Sequence, residues 1–454
     1  MLAEGLANQY PHALILYDIL GAAYIGRGNT DKTIENYQKV LQLNPSHTDA
    51  YNNMGMALYE QGRFIEAVES YQKAIELEPD FADAHYNLGY ALKRTGDLKR
   101  AIESYKASLA INPNDAEVLL NYGNALNSCG EFDQAIEFYV KALTINPNLA
   151  AVQKNMNNAV EQKSEIDRLV ADYAKISKLE IESAEVANFT GTLLKAKGYL
   201  YAAIDSYKKA TKIKPDYAEA YLSMGDVLRD RGDLDVAMDC YLQAIEIKPD
   251  YAPAHNNLGI ILKSKGDVDK AIESYKKAIR FQPENGIIYY NMGNALRDNG
   301  NLEGAIENYK KTIKFQPEHA IAYNNMGLAL KDQGNLVAAI NTFERVLKIN
   351  PNYAEAYSNM GNIFREKGDI ETSIKNYETA IKIKLDYTEA YYNLGIALTD
   401  KGNFDAAIKN YNTVLEIEPN HAEAQHLLVS LLGNTTSSAP REYVERLFDG
   451  YAWK

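Results

Sequence analysis

AYNNMGLALKDQGN, residues 322–335, decides how this chain reads. Tyr323, Met326, Gly327 and Leu330 follow a helical period, and Gly334 sits where glycine closes a helix. Asn324 and Asn325 nevertheless stand in the middle, although asparagine is a poor helix former. The same placement returns in AYNNMGMALYEQGR (50–63), YYNMGNALRDNGN (289–301) and YYNLGIALTDKGN (391–403). A recurring choice that weakens a helix calls for a reason.

The recurrence is periodic. Pro45, Pro79, Pro113, Pro147, Pro215, Pro249, Pro283, Pro317, Pro351 and Pro419 lie on one lattice, 34 residues or a multiple of 34 apart. With that proline at position 32, twelve units run edge to edge from Leu14 to His421. Position 8 is Gly in eleven of them and position 15 is Gly in eleven, so both are structural requirements rather than composition. Position 24 is aromatic in all twelve, from Tyr37 to Tyr411, which accounts for eleven of an unusual total of 34 tyrosines. Positions 1–14 are expected to form a helix A, ended by Gly at 15. Positions 17–30 form a helix B, stopped by proline. The core stripe of helix A is expected at positions 4, 7, 8 and 11, and Ala at 20 (Ala67, Ala101, Ala271) allows close packing. This pattern of small and aromatic residues at a 34-residue period resembles the tetratricopeptide repeat. The resemblance implies an all-α, right-handed superhelical solenoid of twelve helix-turn-helix units.

Two departures and two ends complete the organisation. Residues 150–183 keep the length of a unit and lose both glycines and the proline to Asn157, Ser164 and Ile181. This fifth unit reads as a degenerate repeat held in register, with longer or merged helices that bend the stack, or as drift without consequence. Leu385 replaces one further proline. Residues 1–13 match the second half of an incomplete upstream repeat, with Pro11 on the lattice. Units 1–4 occupy 14–149, units 6–12 occupy 184–421, and 422–434 reads as a final capping helix A. Residues 435–454 read as a loop and the start of a missing domain. The run APREYVERLFDGYA (439–452) resembles the junction that leads from the repeats into the catalytic domain in bacterial tetratricopeptide-repeat methyltransferases. No glycine-rich cofactor loop follows here, so the chain is expected to bind no cofactor and to transfer no methyl group. A capping helix of unrelated origin is the competing reading.

On a helical wheel, position 6 lies about 150° from the centre of the expected core stripe. Nine units carry Asn there: Asn53, Asn87, Asn121, Asn155, Asn257, Asn291, Asn325, Asn359 and Asn393. In a solenoid such a row runs along the inner groove. A carboxamide can bond both the N–H and the C=O of an extended guest chain without demanding a particular side chain. The row resembles the asparagine ladder of protein O-GlcNAc transferases, which implies a groove that holds extended protein segments. Around it, positions 5 and 9 supply a secondary set: Asn52, Tyr86, Asn124, Asn256, Tyr290, Asn294, Asn324, Asn362 and Tyr392. Two other readings compete. The amides satisfy neighbouring helices, or the units are recent copies of one another.

Composition narrows the rest. The net charge is −13 with no long basic run, so a nucleic-acid partner is not expected. Cys129 and Cys240 cannot build a disulfide framework, and a reducing compartment fits. There is no secretory signal and no 18-residue apolar run, so the expectation is a cytoplasmic protein without a membrane partner. The histidines do not pair at metal-ligand spacing, and no phosphate loop, nucleophile elbow or carboxylate-clamp lysine pattern occurs. The expected work is therefore non-catalytic: a protein–protein interaction module that grips extended segments. The alternatives are the substrate-binding arm of a truncated methyltransferase or glycosyltransferase, and a scaffold that binds through its convex face or self-associates through its ends.

Overall fold

A computed structural model of the chain describes Leu6 and residues 9–432. The methyltransferase-like run and most of the half-repeat at 1–13 lie outside the described residues. Between residues 14 and 432 there are 24 helices and no strand. In repeat 10, helix A is Ala320–Asp332 and helix B is Leu336–Ile349, so the expected boundaries hold within a residue. The same alternation runs from Leu14–Ile25 to Phe404–Ile417 and closes on Ala422–Leu431. The chain divides into two compact units, Met1–Asp233 and Leu234–Lys454.

Each turn has a local cause. Gly334 adopts φ +82°, the left-handed conformation that lets helix A stop and the chain reverse. Asn335 then caps helix B through its side chain, which accepts from the Ala338 N–H. The histidines at position 34 do the same for helix A. Nδ1 of His319 accepts from the Ala322 N–H at 3.1 Å, and His47 and His421 repeat the bond.

Packing inside a repeat centres on one contact. Phe343 lies across Gly327 so closely that a Cβ on the glycine would fall 2.7 Å from the ring. Gly293 and Tyr309 repeat this contact in the preceding repeat, again at 2.7 Å. Both rings are fully buried, as are Ala305 and Ala339 of helix B.

The core stripe of helix A is wider than the wheel suggested. Positions 3 and 10 are also fully buried, as Ala322, Ala329, Ala356, Ile363, Ala390 and Ala397 show. The reason is that each helix A packs against the helix B of the preceding repeat as well as its own. Successive A helices also touch one another within each unit, while successive B helices stand farther apart. The A helices therefore form the tighter, inner wall.

Repeat 5 resolves as a single helix, Ala150–Ser177, 28 residues long. Ser164 stands where the other repeats have the turn glycine, so the helix runs straight through that position. It ends at Lys178, the only non-glycine residue with positive φ (55°) among the described residues. Tyr173, without a glycine to lie on, stacks on Phe189 of repeat 6 at 3.9 Å. Repeats 4 and 6 then meet directly. Tyr199 and Ala202 crowd Gly130, and Phe132 meets Tyr199 edge-on at 5.1 Å.

Two outcomes test this packing. Gly327→Ala forces Phe343 aside and is expected to destabilise repeat 10 by about 1–3 kcal/mol, read as a lower urea midpoint of the helical signal; an unchanged midpoint contradicts it. Burial also pushes the hydroxyls of Tyr71, Tyr105, Tyr275 and Tyr309 above the ordinary tyrosine value of 10, and that of Tyr139 up to about 12. The unfolded chain therefore loses these protons first. The stability they carry is intact below pH 10 and falls as pH rises toward 12 and beyond. Helicity lost together with the last part of the rise in tyrosinate absorbance, above pH 10, is the expected result, and complete tyrosinate formation with the helix intact would contradict it.

Candidate functional site

The nine position-6 asparagines do not project freely. All are half-buried, because the true core stripe reaches positions 3 and 10 and brings position 6 to its edge. Most point an Nδ2 group at the preceding repeat. Asn87, Asn291 and Asn359 donate to Oδ1 of Asn52, Asn256 and Asn324 at 3.0, 2.9 and 3.3 Å. Asn121 and Asn325 donate to the hydroxyls of Tyr86 and Tyr290 at 3.0 and 3.2 Å. Asn155 and Asn325 also reach Oδ1 of Asn124 and Asn294 at 2.7 and 3.0 Å. Asn53 donates to the hydroxyl of Tyr37 at 3.1 Å, and Asn257 accepts from Asn256 at 3.0 Å. Most of the secondary set is therefore the partner set. In six repeats the asparagine at position 6 bonds position 5 or 9 of the repeat before it.

The tyrosine at position 24 joins the same network. Tyr139, Tyr309 and Tyr377 donate to Oδ1 of Asn124, Asn294 and Asn362 at 2.9, 2.8 and 2.6 Å. In repeat 3 position 9 is Tyr90 rather than asparagine, and the buried Tyr105 hydroxyl has no hydrogen-bond partner. Tyr392 packs its ring 5.1 Å from His421, as Tyr290 does at 5.0 Å from His319.

Asn325 is used on both sides, with its N–H groups donated to Tyr290 and Asn294 and its Oδ1 accepting from Asn324, but four other amides keep a part unused. In Asn87, Asn155, Asn291 and Asn359, one N–H is bonded, and Oδ1 accepts nothing from the described residues without being buried. Two clefts open beside the row. One of about 250 Å³ is lined by Ile260, Lys263, Ser264, Tyr275, Asn291 and Asn294. Another of about 460 Å³ brings Asn362 and Asn393 beside Lys331 and Arg365. The charges at positions 12 and 13 bridge repeats. Lys195–Asp230, Lys263–Asp298 and Arg365–Asp400 lie at 3.6, 2.7 and 3.8 Å, and each is solvated enough to contribute at most about 1 kcal/mol.

Other sequence-level candidates fall into structural roles. Nε2 of His85 and of His255 meets the carbonyl of Pro79 and of Pro249, both at 2.9 Å. Cys129 and Cys240 are buried and form no disulfide, and burial pushes the Cys129 thiol up to about 12. Among the described residues no group of three His, Cys, Asp or Glu is placed to hold a metal ion. No described helix is long and apolar enough to cross a membrane.

The network makes a measurable claim. Asn325→Ala and Tyr290→Phe are expected to couple by about 0.5–1.5 kcal/mol in a double-mutant cycle of urea unfolding. Strictly additive effects would mean that the bond does not form.

Comparison with known proteins follows the same repeats. A family profile described as TPR repeat matches residues 21–62, 55–96, 191–228, 225–266, 261–296, 293–334, 327–364 and 361–400. One described as tetratricopeptide repeat matches 82–115, 116–149 and 388–421. No curated protein matches the chain by sequence. Among solved structures, MamA is 33% identical over 37% of this chain and 97% of its own, with a TM-score of 0.34. Cut9 with Hcn1, an APC/C hetero-tetramer, is 15% identical over 92% of this chain and 96% of its own, at 0.42. Yeast Tom70 is 17% identical over 85% and 88%, at 0.40. Profiles that span most of the chain, in the phase set by its prolines, place it: the chain belongs to the tetratricopeptide-repeat family.

Proposed function

We propose that this protein-interaction scaffold holds an extended segment of another protein along the inner wall of its A helices, through the row of position-6 amides. The observation that carries the reading is the division of labour within the carboxamides of Asn87, Asn155, Asn291 and Asn359. One N–H ties the amide to the preceding repeat, which fixes its direction, while Oδ1 and the second N–H stay available. A fixed acceptor and donor recurring in repeats 3, 5, 9 and 11 match the N–H and C=O groups of an extended backbone and leave its side chains to be read locally. Because the amides are already held, binding orders few additional groups. Catalysis has no part in this reading; as the arm of a larger enzyme, the same wall would present the protein to be modified.

The test uses peptides selected from a random dodecapeptide display library on the full chain. Asn291, Asn325 and Asn359 changed together to Ala are expected to weaken the selected peptides at least about tenfold, or about 1.4 kcal/mol, with helical content retained. Tyr309→Phe and Tyr377→Phe, which cut stack bonds without touching the row, leave affinity unchanged. Equal affinity in the triple variant would reject the reading.

A further inference from the structure

Position 2 of helix A lies one turn before the amide and on the same face. It is acidic in seven of the twelve repeats, including Asp49, Asp83, Glu117, Glu219, Glu355 and Glu389. Three consecutive repeats depart from this. Repeats 8, 9 and 10 carry Pro253, Ile287 and Ile321 there. The two isoleucines are 51% and 49% exposed. Ile287 stands four residues before Asn291, and Ile321 four before Asn325. Ile260 and Leu328, half-buried at position 9, extend the apolar strip along two of the same helices. On the far side, Glu355 and Glu389 restore the acidic position, both exposed.

An isolated exposed isoleucine needs no explanation, but two on adjacent inner helices, each beside a held amide, form a surface. We propose that repeats 8–10 select the guest: an extended segment of a partner protein that places two apolar side chains on Ile287 and Ile321 and a lysine or arginine against Glu355. This rests on the amide-row reading and adds to it what the row does not specify. Neighbouring A helices stand roughly 8–10 Å apart, and an extended chain advances about 3.3 Å per residue. The two apolar residues are therefore two to four positions apart, the basic one following in the direction of repeat 11. Burial of the apolar pair gives affinity, and the acidic position sets polarity, because a reversed guest brings its charge to Ile287 instead. The net charge of −13 favours a basic guest over an acidic one.

The experiment compares four full-length proteins in the same dodecapeptide selection: wild type, Ile287→Glu/Ile321→Glu, Glu355→Lys, and the triple Asn→Ala variant. Wild type is expected to enrich sequences with two apolar residues followed by a basic one. The double isoleucine variant binds those peptides at least tenfold more weakly. Glu355→Lys, a surface change that leaves the core intact, exchanges the basic preference for an acidic one, so it is read as a switch rather than a loss. Undiminished affinity in the isoleucine variant, with binding lost in the amide variant, overturns this inference and leaves the amide-row reading standing. Undiminished affinity in the amide variant overturns both. A dimer in sedimentation that dissociates on the isoleucine change shows instead that a second copy covers the strip, and overturns the inference.

Discussion

An aromatic ring laid on a glycine is the contact on which the rest depends. At position 8 a single methyl group would collide with the ring at position 24, and the room left by the missing Cβ is what the ring fills. The contact fixes the separation of the two helices in each repeat. It also delivers the tyrosine hydroxyl to the inner wall, where Tyr139, Tyr309 and Tyr377 bond an asparagine at position 9. Packing and polar network are thus one device. The ring that closes the core also anchors the amides, and the amides bridge to the next repeat.

Much of this was legible in the sequence because the period repeats each signal many times. Helix boundaries, turn glycines and buried tyrosines each followed from local chemistry. What stayed hidden needed a partner from another repeat. The burial of Ala322 and Ala329 comes from the preceding helix B, which a wheel drawn for one helix does not contain. The same omission moved Asn325 from an imagined free row to a half-buried edge, bonded to Tyr290 and Asn294. A lattice difference of 31 or 35 residues between amides was visible in the sequence and could have suggested the pairing. The role of His319 as a cap was not visible as such, since histidine is an uncommon helix cap. Repeat 5 lost its turn glycine in plain sight, yet only the packing of Tyr173 on Phe189 and of Gly130 against Tyr199 shows how the stack continues across a single long helix.

A solenoid of this kind separates stability from recognition. The contacts that hold it lie between helix A and the two B helices that flank it, so residues at positions 2 and 9 vary while the core stays the same. The pattern of variation then carries information. Repeats 2–4 carry acids at position 2 and Met56, Tyr90 and Asn124 at position 9, while repeats 8–10 carry an apolar strip beside a held amide row. A family whose repeats build protein-interaction scaffolds gains specificity in this way, by changing the guest-facing residues of a few modules while the ring and the glycine stay fixed.

The most direct measurement of the central contact is hydrogen exchange along the full chain carrying Tyr309→Ala. If the ring on Gly293 closes its repeat, protection falls most in Gly286–Asp298 and Leu302–Phe315 and less in the helices on either side. Protection that is unchanged in those two helices, or lost evenly from residue 234 to residue 432, would contradict the account.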